Sequence, residues 1–211
     1  MPHRRLKHRG RSLLLALIGA GLVVAIGAAS AGPAPSGKPA YDKEGRFLPP
    51  QDYRDWVFIS SGANMSYTDE PAMAGYDLFD NTFVPKQALD VFRRTGTWPD
   101  KTVIMLETRV GAGAGSINHR GLYQSGEIMG LEAHVKDLRR FPGGWAFFGV
   151  GAGKPAKMIA RTASCYSCHE EHGAVDTTFV QFYPTLMPIA VTHGTLSPAY
   201  RAEAATPSRK P

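Results

Sequence analysis

Short apolar runs of strand type outnumber helical ones across the middle of the chain. "DWVFISS" predicts a strand around Trp56–Ser60, and "NTFVP" predicts another ending at Pro85. "KTVIMLET" is rich in β-branched residues and reads as a third strand. In "EIMGLEAHVK" the apolar Leu131, Ala133 and Val135 alternate with Glu132, His134 and Lys136, the period of a strand. "GGWAFFGVG" is a compact apolar strand bounded by glycines. Helical spacing appears in "PKQALDVFRRTG". Pro85 stands near its start, Ala88, Leu89 and Phe92 share a face, and Gly96 occupies the stop position. A helix is predicted from about Thr162 or Ser164, both capping residue types. Val175, Phe179, Phe182 and Tyr183 fall at i, i+4, i+7 and i+8, predicting a further helix that Pro184 ends. The glycine-rich "VGAGAGSINHRG" lacks phosphate-loop spacing and is expected to form a hairpin loop.

The flanks lose this patterning. Residues 1–31 have a basic start, an apolar run from Leu13 to about Ala28 and an A-x-A pattern at Ala29–Ala31. That layout predicts a cleaved secretory signal, hence export to the periplasm. An uncleaved anchor is the alternative, but the run is short and broken by Gly19, Gly21 and Gly27. Residues 32–50 are rich in Pro, Gly, Ala and Lys and are expected to be a linker; residues 192–211 are expected to be disordered. The folded domain is therefore placed at residues 51–191. The formal charge of +6 includes Arg4, Arg5, Lys7, Arg9 and Arg11; without them it is +1. No basic stripe remains to suggest a nucleic-acid partner.

Only two cysteines exist, and both lie in Cys165-Tyr166-Ser167-Cys168-His169. C-x-x-C-H is the spacing for covalent attachment of a c-type haem, with His169 as the iron ligand. A disulfide would close too small a loop to stabilise much, a thioredoxin-like role needs a preceding βαβ unit, and zinc needs further ligands. One covalently attached haem c is therefore expected. The motif leaves the iron's other face open. Met187, in "YPTLMPIA", is the nearest downstream thioether, and its ligation would make the protein an electron carrier. His119, His134 and His193 show no partner in the sequence.

A late haem motif also occurs in the helical cytochromes c-prime, but this chain is β-rich. The blocks "DYRDWVFISS", "FVPKQALDVFRRTGTWPDKTVIMLE", "GLEAHVKDLRRFPGGWAFFGV" and "CYSCHEEHGAVDTTFVQFYPTL" together resemble the cytochrome P-460 family. The resemblance implies an α+β fold, mainly antiparallel sheet with a few helices and the haem-bearing helix near the C-terminus. It also implies a homodimer with haem held by Cys165, Cys168 and His169. Members with a lysine linked to the haem oxidise hydroxylamine; the c-prime-beta branch lacks the link and binds nitric oxide and carbon monoxide. Leu106 stands where the lysine would fall. Lys101 is an odd number of residues away, so in a regular strand it points to the other face. Leu106 therefore implies an apolar pocket that binds nitric oxide or a similar diatomic, with Phe58 or Phe83 as possible crowding neighbours. Glu132 is implied to be a pocket carboxylate able to act as a general base, which keeps hydroxylamine oxidation, with a small c-type cytochrome as electron partner, as the rival activity. The other reading puts Glu132, His134 and Lys136 on a wet strand face, and Arg54 is either a pocket or a surface charge.

Overall fold

The computed structural model describes residues 37–151 and 153–206; the expected export signal lies outside them. Five strands form one antiparallel meander in sequence order: β3 (Val57–Ala63), β4 (Leu78–Val84), β5 (Val103–Ala112), β6 (Tyr123–Lys136) and β7 (Trp145–Gly149). A separate two-stranded ribbon joins β1 (Ala40–Tyr41) to β2 (Phe47–Leu48). The helices are α1 (Lys86–Thr95), α2 (Ser164–His172), α3 (Met187–His193) and α4 (Pro198–Ala205). The architecture is α+β, as expected from the patterning and the family resemblance.

Strand alternation gives the sheet two different faces. Val103, Met105, Ala133, Val135, Ala146 and Phe148 point to one side, where Phe47, Tyr53 and Phe141 cover them. Ile104 and Trp145 point to the other, where they pack with Leu89 and Phe92 of α1, with Trp98, and with Val175, Leu186 and Ala190. All the α-helical contributions to these two cores lie on this second side. A bulge between Phe58 and Ser60 lets Ile59 turn into the same core.

Helix α1 follows its sequence signals. Pro85 is its extended N-cap, and Gly96 closes it at φ 71° with its N–H on the Phe92 carbonyl at 2.7 Å. A Cβ at Gly96 would approach His193 and Thr195 to 2.7 Å, so both conformation and space favour glycine.

Four local expectations need correction. The linker is not free: Phe47 is fully buried, its ring lies 4.9 Å from that of Phe148, and its backbone exchanges hydrogen bonds with Ala156. One inserted aromatic outweighs the surrounding Pro and Gly content. The tail is ordered through Thr206, since Ser197 caps α4 and also donates to the Gly173 carbonyl, while Thr195 donates to Gly96. These bonds are polar and long-range, so hydrophobic patterning does not reveal them. The helix expected over Val175–Tyr183 is broken by left-handed backbone at Asp176 (φ 50°) and Thr177 (φ 58°); only a 3-10 turn at Val180–Phe182 remains. Finally, Ala163 rather than Thr162 or Ser164 occupies the α2 N-cap, without a side-chain cap bond.

Phe92 has no exposed surface and its ring lies 4.4 Å from that of Trp98. Phe92→Ala should cost about 3–5 kcal/mol in denaturant unfolding of the full chain. A loss under about 1 kcal/mol would mean that this contact does not anchor the core.

Candidate functional site

A cavity of about 490 Å³ lies between the second face of the sheet and α2. Its sheet wall follows the strand registers. Ser60, Thr82, Leu106 and Glu132 are successive cross-strand partners on β3 to β6, and all line it. Ile104, His134 and Phe147 form the next row, and Asp80 lies on the row beyond Thr82. Helix α2 contributes Cys165, Cys168 and His169, with Phe179, Phe182 and Tyr183 following, while Met65 and Tyr67 come from the β3–β4 connection.

The sequence of α2 explains how these groups are held. Tyr166, between the two cysteines, turns the other way and is buried; its hydroxyl donates to the Ile159 carbonyl and accepts from the Phe147 N–H. This ties the helix to β7. After His172 the chain doubles back, and Gly173 permits it, because a Cβ there would lie 2.6 Å from the His169 carbonyl. The left-handed pair Asp176–Thr177 then turns the Thr177 carbonyl to the His169 ring, 2.7 Å from Nδ1. A carbonyl only accepts, so Nδ1 carries the proton and Nε2 keeps a free lone pair for a metal. The ring plane is also fixed by Phe179, stacked at 4.0 Å, and by Phe147 and His134 at 4.6 and 4.9 Å. Burial lowers the His169 pKa from its ordinary value; the bond to Thr177 opposes this.

Charge is sorted between the faces. On the side away from the cavity, Glu107 is 2% exposed yet accepts hydrogen bonds from Tyr53, Arg54 and Arg109. Burial alone would raise its pKa, but those three donors outweigh it and hold the carboxyl below the usual range. Lys101 pairs with Asp137, and Lys136 with Asp176 at 3.0 Å. No arginine or lysine lines the cavity among the described residues. The Glu132 carboxylate has no hydrogen bond or ion pair to any described residue, and Gly149 opposite it on β7 offers no side chain. Burial, and then the nearby charge of Asp80, push its pKa up.

The structure thus brings Cys165, Cys168, His169, Leu106 and Glu132 to one cavity. Other expectations are corrected. Met187 packs against the helical core and does not line the cavity. Phe58 is exposed, and Phe83 packs against the opposite face, edge-on to Tyr53. Arg54 serves Glu107 on that same opposite face. Lys101, in agreement with its expected placement away from the Leu106 face, does not line the cavity and pairs with Asp137.

Sequence reasoning missed His134, Asp80, Met65 and Tyr67. His134 was within reach: strand alternation commits it to the same face as Glu132, so if one enters the cavity the other does too. It is nine-tenths buried, stacked on Phe147 at 4.1 Å, and its Nε2 has no partner among the described residues. Burial, and secondarily the neighbouring His169, hold it neutral.

The cytochrome P460 family model matches residues 50–180. The chain belongs to the cytochrome P460 family. No curated protein matches it. Membership in the cytochrome P460 family implies a haem cofactor, and the cavity fits one: two thiols and a bare imidazole lone pair face a largely apolar space. The 3-10 turn at Val180–Phe182, whose Phe182 lines the cavity, runs from the end of the matched region, and α3 and α4 lie beyond it.

A raised carboxyl pKa penalises the folded state once the group ionises. The penalty is absent below the unfolded pKa, near 4.5, and grows as pH rises through the higher folded value. Glu132→Gln should therefore match the parent in unfolding stability at low pH and exceed it at neutral pH. Equal stabilities across that range would show that the Glu132 carboxylate is not strained by burial.

Proposed function

We propose that this protein is an exported, periplasmic, mono-haem c-type cytochrome that binds nitric oxide or another neutral diatomic at a five-coordinate iron. Cys165 and Cys168 attach the haem covalently and His169 ligates the iron through Nε2. Bound haem supplies a redox-active iron with an open coordination position. The protein's own part is to hold His169 by the Thr177 carbonyl and the Phe179 stack, and to present an apolar wall.

The observation that carries the reading is Leu106. It lines the cavity, flanked by Ile104 in the same strand and facing the space that His169 also borders. An aliphatic group there offers neither a covalent anchor nor a hydrogen bond to an anion, so small apolar ligands are favoured. Assembly as a homodimer accompanies this reading.

A second reading, hydroxylamine oxidation with a small c-type cytochrome as electron acceptor, draws support from Glu132. Its unpaired carboxylate lines the same cavity and could accept a substrate proton. The displacement of Met187 into the core weighs against the electron-carrier reading.

Visible spectra of the haem-loaded protein separate the three. The gas-binding reading expects a high-spin reduced form that changes on adding carbon monoxide or nitric oxide, and Met187→Leu should leave every spectrum as it was. A low-spin reduced spectrum indifferent to carbon monoxide would overturn it. Hydroxylamine turnover that Glu132→Gln abolishes would establish the enzyme instead.

A further inference from the structure

The charges around the cavity are distributed more strictly than haem attachment requires. Two carboxylates, Asp80 and Glu132, reach the cavity from different strands. Neither meets a cation among the described residues. Asp80 accepts a hydrogen bond from the neutral hydroxyl of Thr108 at 2.6 Å, and Glu132 has no such partner among the described residues. The cations on adjacent strand positions are directed elsewhere. Arg109, the residue after Thr108, faces Glu107, and Arg54 reaches the same carboxylate. Lys136, on the same strand as Glu132, bonds the Trp98 carbonyl and Asp176.

We infer that Asp80, acting with Glu132, is a specificity-determining residue that sets the ligand charge of this cavity, excluding small anions in favour of neutral or cationic molecules. The inference rests on the proposed iron site at His169 and deepens it by naming the class of ligand refused. Its physical basis is simple. An anion entering a cavity walled by Leu106, Ile104 and Phe147 loses its hydration and finds no cation among the described lining residues, while the carboxylate of Asp80, joined by that of Glu132 wherever it is ionised, repels it. A neutral diatomic pays neither cost. The hydroxyl of Tyr67 remains available to a neutral polar ligand, whereas Ser60 donates to the Phe182 carbonyl and Thr82 is hydrogen-bonded to Tyr183. Asp80 also acts on Glu132 itself, helping to push its pKa up, which places the two groups within electrostatic reach of one another.

The magnitude follows from Coulomb's law. One unit charge over a separation on the order of 10 Å, at an effective dielectric of about 20, changes an anion's affinity by roughly tenfold. Asp80→Asn keeps the acceptor for Thr108 and removes the charge. In the haem-loaded oxidised protein, azide should bind Asp80→Asn about tenfold more tightly than the parent, expressed as a ratio to the carbon monoxide affinity of the same protein in its reduced form. Raising ionic strength should narrow that difference. The midpoint potential of Asp80→Asn should rise, because a nearby negative charge favours the oxidised iron. This second readout needs no open coordination position, so a protein that binds neither azide nor carbon monoxide would defeat the gas-binding reading while still testing the charge inference. An azide-to-carbon-monoxide ratio within twofold of the parent would overturn the inference in a ligand-binding protein. An unmoved potential would overturn it in one that binds neither ligand.

Discussion

The hydrogen bond between His169 Nδ1 and the Thr177 carbonyl is the contact on which the site depends. It selects the tautomer, orients the ring and leaves Nε2 bare. To make it, the chain adopts left-handed backbone at two non-glycine residues, a cost of roughly 1–2 kcal/mol each. The surroundings offset that cost. Asp176 accepts from the Trp98 N–H and from Lys136, both at 3.0 Å, and Thr178 accepts from the Trp98 indole at 3.0 Å. Trp98 in turn packs on Phe92 of α1. The turn that aims His169 is therefore fixed by the main helical core, and loosening that core would reach His169 through Trp98.

The sheet imposes the second constraint. In the β5–β6 pair, Leu106 faces Glu132 and the next row places Glu107 opposite Leu131. The two glutamates thus occupy opposite faces. A slip of β5 by one residue would put Glu107 with its arginines where Leu106 now stands. Each face also needs its own polarity. Glu107, Tyr53, Arg54 and Arg109 satisfy one another beside an apolar core, whereas the cavity face keeps two acids and no cation.

Most strands were legible because alternation and β-branching survive tertiary packing. "EIMGLEAHVK" and "GGWAFFGVG" fall within or around β6 and β7, and α1 kept its proline start and glycine stop. The haem motif named three site residues by spacing alone. What stayed hidden depended on contacts across long sequence separations. Nothing local shows that Phe47 reaches Phe148, that Ser197 reaches Gly173, or that Met187 belongs to the helical core. The helical spacing of Val175, Phe179, Phe182 and Tyr183 was real, but Asp176 and Thr177 take the conformation that serves Trp98 and His169. Periodicity reports burial; it does not report a backbone bent to present a carbonyl.

The two glutamates show the same side chain in two different settings. Glu107 is almost wholly buried and accepts from three donors, as a carboxylate retained for structure must. Glu132 lies across the strand from Leu106, has Gly149 on its other side, and borders a cavity that gives it no donor among the described residues. An alanine or leucine there would suit the wall and remove the desolvation cost. Local rules of sheet pairing and burial both disfavour the residue, and no structural bond repays it. Such violations concentrate where a protein uses a group rather than rests on it. Glu132 is thus better explained by what enters the cavity than by the fold, and the same logic extends to Asp80, whose only side-chain hydrogen bond among the described residues comes from a neutral hydroxyl.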